Sequence, residues 1–196
     1  MVTVGKSLLE RKGKNKTEII SFTLMFICSI LLLIIVLLNA FVFVNVEVSG
    51  DSMYPTLSSG DVLVANKYKK VSHGSIVIIS GEKQNAWIIK RVIAMEGDTV
   101  KIGIDGYVYV KYSGNDEFTK LIEPYLTRQG VTGRLQWVER TLDKGEIFYL
   151  GDNRGNSRDS RDAEYSTCNI SQIVAVVENW SIKVKGFNRK INEWFS

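Results

Sequence analysis

The sequence predicts a mainly β protein in which a single N-terminal transmembrane helix precedes a β-rich extracytoplasmic domain. One apolar run near the N-terminus is long enough to cross a bilayer. After it, short runs rich in β-branched and aromatic residues alternate with turns marked by glycine and proline. The 196 residues contain no internal repeat and no low-complexity segment, so one domain with an anchor accounts for the length.

The transmembrane helix is predicted over residues 19–40, in which positions 19–38 hold nothing more polar than serine and threonine. Twenty helical residues at about 1.5 Å each span roughly 30 Å, the thickness of a hydrocarbon core. A cleaved signal peptide has a shorter apolar run of about 7–15 residues. A buried helix of a soluble domain carries a polar stripe, which this run lacks. A membrane span therefore fits better than either alternative.

Basic residues before the span predict its orientation. Residues 1–18 carry five basic and two acidic side chains, and such charge favours the cytoplasmic side. We therefore expect residues 1–18 in the cytoplasm and residues 41–182 outside, as the β-rich domain of a single-pass protein of the cytoplasmic membrane. Residues 183–196 form a basic and aromatic tail that we expect to lie on the membrane surface.

Charge and composition exclude several kinds of partner. Most of the net charge of +4 comes from the N-terminal segment, so the domain presents no basic face and nucleic acid is not an expected partner. The chain has one histidine, His73, and two cysteines, Cys28 and Cys168. Cys28 falls in the predicted span, so we expect no disulfide. With so few histidines and cysteines, we expect no zinc site, and nothing predicts another metal or a cofactor.

Short apolar runs and turn signals predict the strands of the domain. The polar segment 151–161 is too rich in turn residues for the core, yet it is dense in side chains that can hydrogen-bond one another. We expect β structure at 42–48, 62–65, 75–79, 86–94, 100–110 (as a hairpin), 134–141, 146–150 and 170–178.

A serine occupies a proline-marked turn soon after the span. Gly50 allows the backbone to bend and another chain to lie close, and Pro55 disfavours helix at the residue before it. Met53 and Leu57 can pack the turn onto a core while Ser52 stays accessible. Most serines in such turns are not nucleophiles, so the turn alone does not identify an active site.

A serine nucleophile needs a base beside it. His73 lies in a turn-like context and is a weak candidate, so a Ser-His-Asp triad is not expected. An ordinary lysine has a pKa near 10.4 and is protonated at neutral pH, but burial lowers that pKa. Lys90 and Arg91 lie on opposite faces of the apolar strand 86–94. We expect one of the two to reach solvent and Lys90 to be the desolvated base for Ser52.

Four stretches resemble the signature boxes of type I signal peptidases, the membrane-bound serine proteases that remove signal peptides. The last matches the pattern Gly-Asp-Asn-Arg-x-x-Ser-x-Asp-Ser-Arg at every fixed position, and the resemblance covers roughly residues 48–177. The stretches are 50–57 (GDSMYPTL), 60–64 (GDVLV), 90–93 (KRVI) followed by 97–98 (GD), and 151–161 (GDNRGNSRDSR).

The resemblance implies a role for each residue that matches a box. Ser52 would be the nucleophile and Lys90 the general base of a Ser-Lys dyad that acts through an acyl-enzyme. Ser157 would orient the lysine amine with its hydroxyl. Asp159 and Arg161 would form an ion pair that holds the last box.

The same resemblance implies supporting residues and partners. Asp152 and Arg154 would be structural, whereas Gly50 and Met53, beside the nucleophile, are expected to contact substrate. The expected substrates are the signal peptides of preproteins, cut after small residues, in contact with the lipid bilayer and with possible coupling to the secretion translocon. Some members carry a serine hydroxyl as a second oxyanion donor where this chain has Gly50.

Departures from the family pattern leave other interpretations open. The segment Ala94–Glu96 and the residues after Arg161 differ from the usual sequences, which puts details of the substrate pocket in question. The main alternative is a catalytically dispensable membrane-anchored assembly factor or chaperone for surface proteins such as pilins. A self-cleaving repressor protease, which shares the dyad, lacks a membrane span, and an inert anchored β domain would not need the dyad residues.

Overall fold

The fold is described from a computed structural model. It describes residues 3–81, 86–133 and 139–182, with side chains from residue 16 onward. The chain divides into two compact units, Met1–Val42 and Phe43–Ser196, and each is described by itself.

The first unit is one helix, α1, which spans Thr3–Val42. Its segment Lys16–Val42 is long and apolar enough to cross a membrane. Three polar side chains in this segment donate to carbonyls one turn earlier: Thr23 Oγ1 to Ile19 at 2.8 Å, Ser29 Oγ to Met25 at 2.9 Å and Asn39 Nδ2 to Ile35 at 2.8 Å. These groups therefore need no water, as a hydrocarbon environment requires. From residue 3 onward, the helix continues without a break through the predicted N-terminal segment and the predicted span 19–40.

Within the described residues, the second unit contains two antiparallel sheets. One sheet has seven strands in the order β1-β2-β11-β3-β4-β9-β10, and the other has four in the order β7-β6-β5-β8. The strands are β1 (Phe43–Glu47), β2 (Val62–Asn66), β3 (Ile76–Gly81), β4 (Ala86–Met95), β5 (Thr99–Ile102), β6 (Val108–Lys111), β7 (Thr119–Lys120), β8 (Glu139–Thr141), β9 (Glu146–Leu150), β10 (Cys168–Asn169) and β11 (Ile173–Val177). The predicted mainly β fold after one N-terminal apolar helix is thus confirmed.

One buried apolar cluster joins the two sheets. Residues of β4 and β9 that face the smaller sheet pack against its inward-facing residues, because alternate side chains of a strand point to opposite faces. The cluster contains Ile93, Ala94, Phe148 and Leu150 from the large sheet, with Val100, Val108, Val110 and Leu142 from the small sheet and its connections.

The predicted strand at 170–178 is wrong in its first part. Residues Ile170–Gln172 form a short 3-10 helix, and β11 begins only after it. The Asn169 side chain accepts a hydrogen bond from the Ser171 N–H at 2.9 Å, and the Gln172 side chain accepts one from the Asn169 N–H at 2.8 Å. These capping bonds favour a helical turn over a strand. The expected strand residues 134–138 and the tail 183–196 lie outside the described residues.

The pairing of β4 leaves part of its edge open. On one side β3 pairs with β4 from Ala86 to Arg91, and on the other side β9 pairs only from Arg91 to Met95. Among the described strands, none pairs with the β9-side edge of residues 86–90. Lys90 lies at the junction of the paired and open parts of this edge.

Candidate active site

Buried apolar side chains pack the turn that carries Ser52 onto the core. The N–H of Tyr54 donates to the carbonyl of Asp51 at 3.0 Å, and that of Leu57 donates to Met53 at 2.9 Å. Met53 and Leu57 are buried in the core cluster that also contains Val48. The turn is thus rigidly held, while Ser52 remains partly exposed. Gly50 adopts a φ of +84°, a left-handed conformation that glycine tolerates best.

The Lys90 amine lies directly against the serine. Its Nζ is 2.7 Å from Ser52 Oγ and 3.1 Å from the carbonyl oxygen of Ile89. Only 5% of the residue is exposed. Burial lowers the pKa of Lys90 to about 8, although the negative charges of Asp159 and Asp152 oppose that effect. A neutral amine, able to accept a proton, is therefore accessible at mildly alkaline pH.

The expectation that Lys90 or Arg91 would reach solvent is wrong, because both are buried, at 5% and 9% exposure. Arg91 Nε and Nη2 donate to the Asp152 carboxylate at 2.8 and 2.6 Å, and Nη1 donates to the Gly74 carbonyl at 2.9 Å. Its guanidinium lies 3.9 Å from the centre of the Tyr125 ring. This cation remains buried because an anion and an aromatic face replace water.

Asp152 links the arginine to the serine turn. Besides its two bonds from Arg91, its carboxylate accepts a hydrogen bond from Thr56 Oγ1 at 2.5 Å. Thr56 follows the nucleophile turn in sequence, so one buried carboxylate joins that turn, β4 and the segment 151–161. This placement fits the structural role expected of Asp152.

The segment 151–161 contacts the serine turn through its backbone. The N–H of Asn153 donates to the carbonyl of Ser52 at 2.9 Å, and Asn153 Nδ2 donates to the carbonyl of Asp51 at 3.0 Å. The peptide groups on both sides of Ser52 are therefore held by one asparagine. Sequence reasoning did not single out Asn153, although the Gly-Asp-Asn-Arg motif contains it.

Asp159 and Arg161 form a buried, two-point ion pair. Arg161 Nε and Nη2 donate to the two carboxylate oxygens at 2.7 and 3.0 Å, and Asp159 also accepts from the Gly151 N–H at 2.9 Å. The pair closes the segment 151–161 on itself. Charge-assisted bonds of this two-point geometry are among the strongest in proteins.

Ser157 does not make the contact expected of it. Its Oγ is buried, and among the described residues it has no hydrogen-bond partner, so it does not bond to Lys90 here. It nonetheless lies at the site: a Cβ added to Gly151 would come within 2.2 Å of Ser157 Oγ and 2.5 Å of the Ser52 carbonyl oxygen. A role for Ser157 in orienting the amine remains a prediction.

A buried network behind the site was missed by sequence reasoning. Arg154 donates to both carboxylate oxygens of Glu123, at 2.5 and 3.2 Å, and also to Thr132 Oγ1. Tyr125 donates to the same carboxylate at 2.7 Å. In the sequence, Glu123 appears only as part of a proline-marked turn. Its partner Arg154 lies 31 residues away, so nothing local pairs the two.

His73, the weak candidate base, lies against a different acid. Its Nε2 is 2.6 Å from Asp98 Oδ2, and its ring makes an edge contact with Tyr112. The Asp98 carboxylate also accepts hydrogen bonds from the N–H groups of Met95 and Ser113. His73 is therefore part of a turn that supports β4, and Lys90 is the basic group at the serine.

A groove of about 400 Å³ leads away from Ser52 and Lys90. Two chain segments form its walls: residues 46–53 on one side and residues 87–90 on the other. Gly50 and Met53 both line it, beside the serine. The walls combine apolar side chains, such as Val48 and Ile89, with the polar Glu47 and Ser49, and residues 87–90 of one wall belong to the open edge of β4. An extended peptide could pair with that edge and place its side chains against the walls.

Comparison with known proteins identifies the family of this chain. The family described as signal peptidase, peptidase S26, matches residues 20–180. Signal peptidase I T of Bacillus subtilis (strain 168) is 36% identical over 68% of this chain and 71% of its own. Signal peptidase I P of Bacillus subtilis subsp. natto is 30% identical over 87% of this chain and 93% of its own. A solved signal peptidase I from Enterococcus faecalis aligns with 56% of this chain and 98% of its own, at 23% identity and a TM-score of 0.45.

The family match extends from α1 to the end of β11 and includes all four sequence stretches that carry the resemblance. The resemblance is thus confirmed, and the chain belongs to the signal peptidase family, peptidase S26.

Proposed function

We propose that this protein is a membrane-anchored serine endopeptidase that removes signal peptides from exported preproteins by a Ser-Lys dyad. Membership of the signal peptidase family supports the substrate and the reaction. The single observation that carries the dyad is the 2.7 Å separation of Ser52 Oγ from Lys90 Nζ, with burial lowering the pKa of that lysine to about 8.

In this mechanism Ser52 Oγ attacks the scissile carbonyl carbon while Lys90 Nζ accepts the hydroxyl proton. The proton then passes from Lys90 to the leaving amine as the peptide bond breaks and an ester forms with Ser52. Water, deprotonated by Lys90, then attacks the ester carbonyl. The ester C–O bond breaks, the proton returns from Lys90 to Ser52 Oγ, and the signal peptide leaves with a free carboxyl terminus. The backbone N–H of Ser52 donates to the oxyanion. Asn153, which holds the carbonyl of Ser52, fixes the turn in which that donor lies.

The substrate binds as an extended strand along the open edge of β4. Its backbone hydrogen bonds supply affinity, and the apolar walls next to Ser52, including Met53, admit small side chains at the cut. Gly50 presents no side chain on the opposite wall, so a peptide backbone can approach closely there.

The helix α1 anchors the chain in the cytoplasmic membrane in this proposal, with its N-terminus inside. The bilayer is then a partner, and coupling to the secretion translocon would deliver preproteins to the same surface. The alternative of a catalytically dispensable assembly factor for surface proteins such as pilins has no observation in its favour. Both dyad residues are present and in contact.

The test is preprotein cleavage by the purified full chain in detergent. Ser52→Ala and Lys90→Ala should each abolish cleavage and leave the circular dichroism spectrum unchanged. Ser171→Ala and Lys69→Ala are controls at exposed positions away from the groove and should cleave normally. Full activity in either dyad variant would refute the mechanism.

A further inference from the structure

Trp87 is an exposed tryptophan on the wall of the groove. Its exposed fraction is 53%, and it lines the groove together with Ile88, Ile89 and Lys90. Trp180 has almost the same exposure, 52%, but does not line the groove. A large aromatic side chain left half in water beside a binding groove offers apolar area to whatever the groove holds.

The strand register places the indole on the apolar side of the groove. Trp87 and Ile89 point to the same face of β4, because they are two residues apart. Ile89 packs on the core cluster that contains Val48 and Met53, the residues on the opposite wall. Trp87 therefore extends the same apolar surface outward from the dyad.

Spacing along β4 indicates which part of a substrate would reach the indole. Trp87 precedes Lys90 by three residues, roughly 10 Å at about 3.3 Å per residue. A peptide extended along β4, with its scissile carbonyl at Ser52, rises at the same rate. For a peptide that runs parallel to β4, the third or fourth residue before the cut then lies beside Trp87, and the residues before those pass over the exposed half of the ring.

We propose that Trp87 binds the apolar segment of the substrate that lies upstream of the small residues at the cut. This inference rests on the proposed function and names a specificity residue for it. Small substrate side chains close to Ser52 would set the cleavage position. Trp87 would add affinity for aliphatic substrate side chains from about the third residue before the cut and further upstream. Lipid is the other common neighbour of an exposed tryptophan, but the place of Trp87 on a wall shared with Lys90 favours the peptide.

The experiment compares two peptides in detergent solution, identical around the cut and carrying either leucines or serines from the third to the sixth residue before it. Trp87→Ala should raise KM for the leucine peptide about tenfold, since it removes apolar contact area. It should leave kcat and the serine peptide nearly unchanged. Trp87→Phe should restore most of the affinity, and the matched control Trp180→Ala should behave as wild type.

Two results would overturn the proposal. An equal rise in KM for both peptides in Trp87→Ala would mean that Trp87 only supports the strand. A rise in KM seen only when phospholipid vesicles are present would mean that Trp87 contacts the bilayer.

A binding assay keeps this test separate from the proposed function. In a Ser52→Ala background, the part of the tryptophan fluorescence that is lost in Trp87→Phe comes from Trp87. A leucine peptide that carries a dinitrophenyl group upstream of the cut should quench this part. Should the wild-type protein cut neither peptide, the proposed function fails. The quenching still decides whether Trp87 contacts the peptide, and its absence would refute that contact.

Discussion

Lys90 is the residue whose surroundings matter most for the chemistry. Burial lowers its pKa from 10.5 to about 8, while Asp159 and Asp152 favour the charged form. At pH 7 about a tenth of the amine is therefore neutral, far more than for an exposed lysine. In the proposed mechanism the base needs no histidine, because desolvation of the amine lowers its pKa toward the range of an imidazole.

Activity should consequently rise with pH. Since only the neutral amine accepts the proton of Ser52, kcat/KM for a peptide substrate should increase about tenfold per pH unit below the pKa of Lys90, and level off above about 8. The measurement is a pH profile from 6 to 10 with the full chain in detergent. A profile that is flat or falls between pH 7 and 8 would contradict a lysine base.

Gly151 has space for no side chain. An added Cβ would lie 2.2 Å from Ser157 Oγ and 2.5 Å from the Ser52 carbonyl oxygen. Gly151→Ala should therefore displace the nucleophile turn and lower kcat at least a hundredfold, on the order expected for a small displacement of catalytic groups. Gly155→Ala, in the same segment with open space around it, is the control. Similar activity in the two variants would argue against close packing at Gly151.

At the level of elements, the segment 151–161 continues the sheet without being a strand. The N–H of Ser160 donates to the Tyr149 carbonyl at 3.1 Å, and the N–H of Tyr149 donates to Ser160 Oγ at 3.0 Å. The segment thus returns beside β9 and carries Asp159 to the site. A serine side chain completes the pairing where a strand would use its backbone.

Ser160→Ala should destabilise the protein by about 1–3 kcal/mol, because the buried N–H of Tyr149 loses its acceptor. Denaturant unfolding followed by circular dichroism measures this change. Ser171→Ala, at an exposed position, should change the free energy of unfolding by less than about 0.5 kcal/mol. Equal effects would show that the Ser160 hydroxyl is not a structural acceptor.

The sequence predicts individual strands well and their partners poorly. The apolar run 86–94 and the hairpin signal Asp105-Gly106 correspond to β4 and to the β5–β6 pair, because both are local patterns. The insertion of β11 between β2 and β3 depends on contacts about 100 residues apart. No local pattern encodes such contacts.

Local sequence patterns likewise predict only part of the candidate site. Residue types and the family boxes predicted that Ser52 and Lys90 would meet. They did not predict that Arg91 would also be buried, since its partners Asp152 and Tyr125 lie far along the chain. Nor did they predict that Ser157 would lack a hydrogen bond within the described part of the chain, because side-chain orientation depends on packing.

For the molecule as a whole, a buried ion pair connects the site to the segment between β7 and β8 of the small sheet. Arg154 and Glu123 are almost fully buried and bond at two points. Loss of one partner leaves an uncompensated charge in the interior. Glu123→Gln should therefore lower the free energy of unfolding by about 3–5 kcal/mol.

The matched control for this prediction is the ion pair of Lys69 with Glu178, in which the lysine is exposed. Glu178→Gln should lower the free energy of unfolding by less than about 1 kcal/mol. The comparison is made by denaturant unfolding of the full chain in detergent. If Glu123→Gln costs no more than Glu178→Gln, the buried pair does not hold the segments together.

The apolar segment of α1 predicts how the full chain should associate with membranes and which side of them each part should face. Because Lys16–Val42 is apolar and without charge after Glu18, alkaline carbonate should leave the protein in the membrane pellet. Protease added outside spheroplasts should digest the part beyond residue 42 and spare the N-terminal segment. Extraction into the alkaline supernatant, or protection of the β-rich unit, would contradict the proposed topology.

The open edge of β4 also sets a condition on compounds that occupy the groove. A ligand that pairs along residues 86–90 must present amide hydrogens and carbonyls in alternation, and proline or N-methylated residues lack the hydrogen. We therefore expect signal peptides to exclude proline at the positions whose backbone faces β4. A peptidomimetic inhibitor should lose most of its potency when a single facing amide is methylated, whereas methylation of the amide that points away should be tolerated.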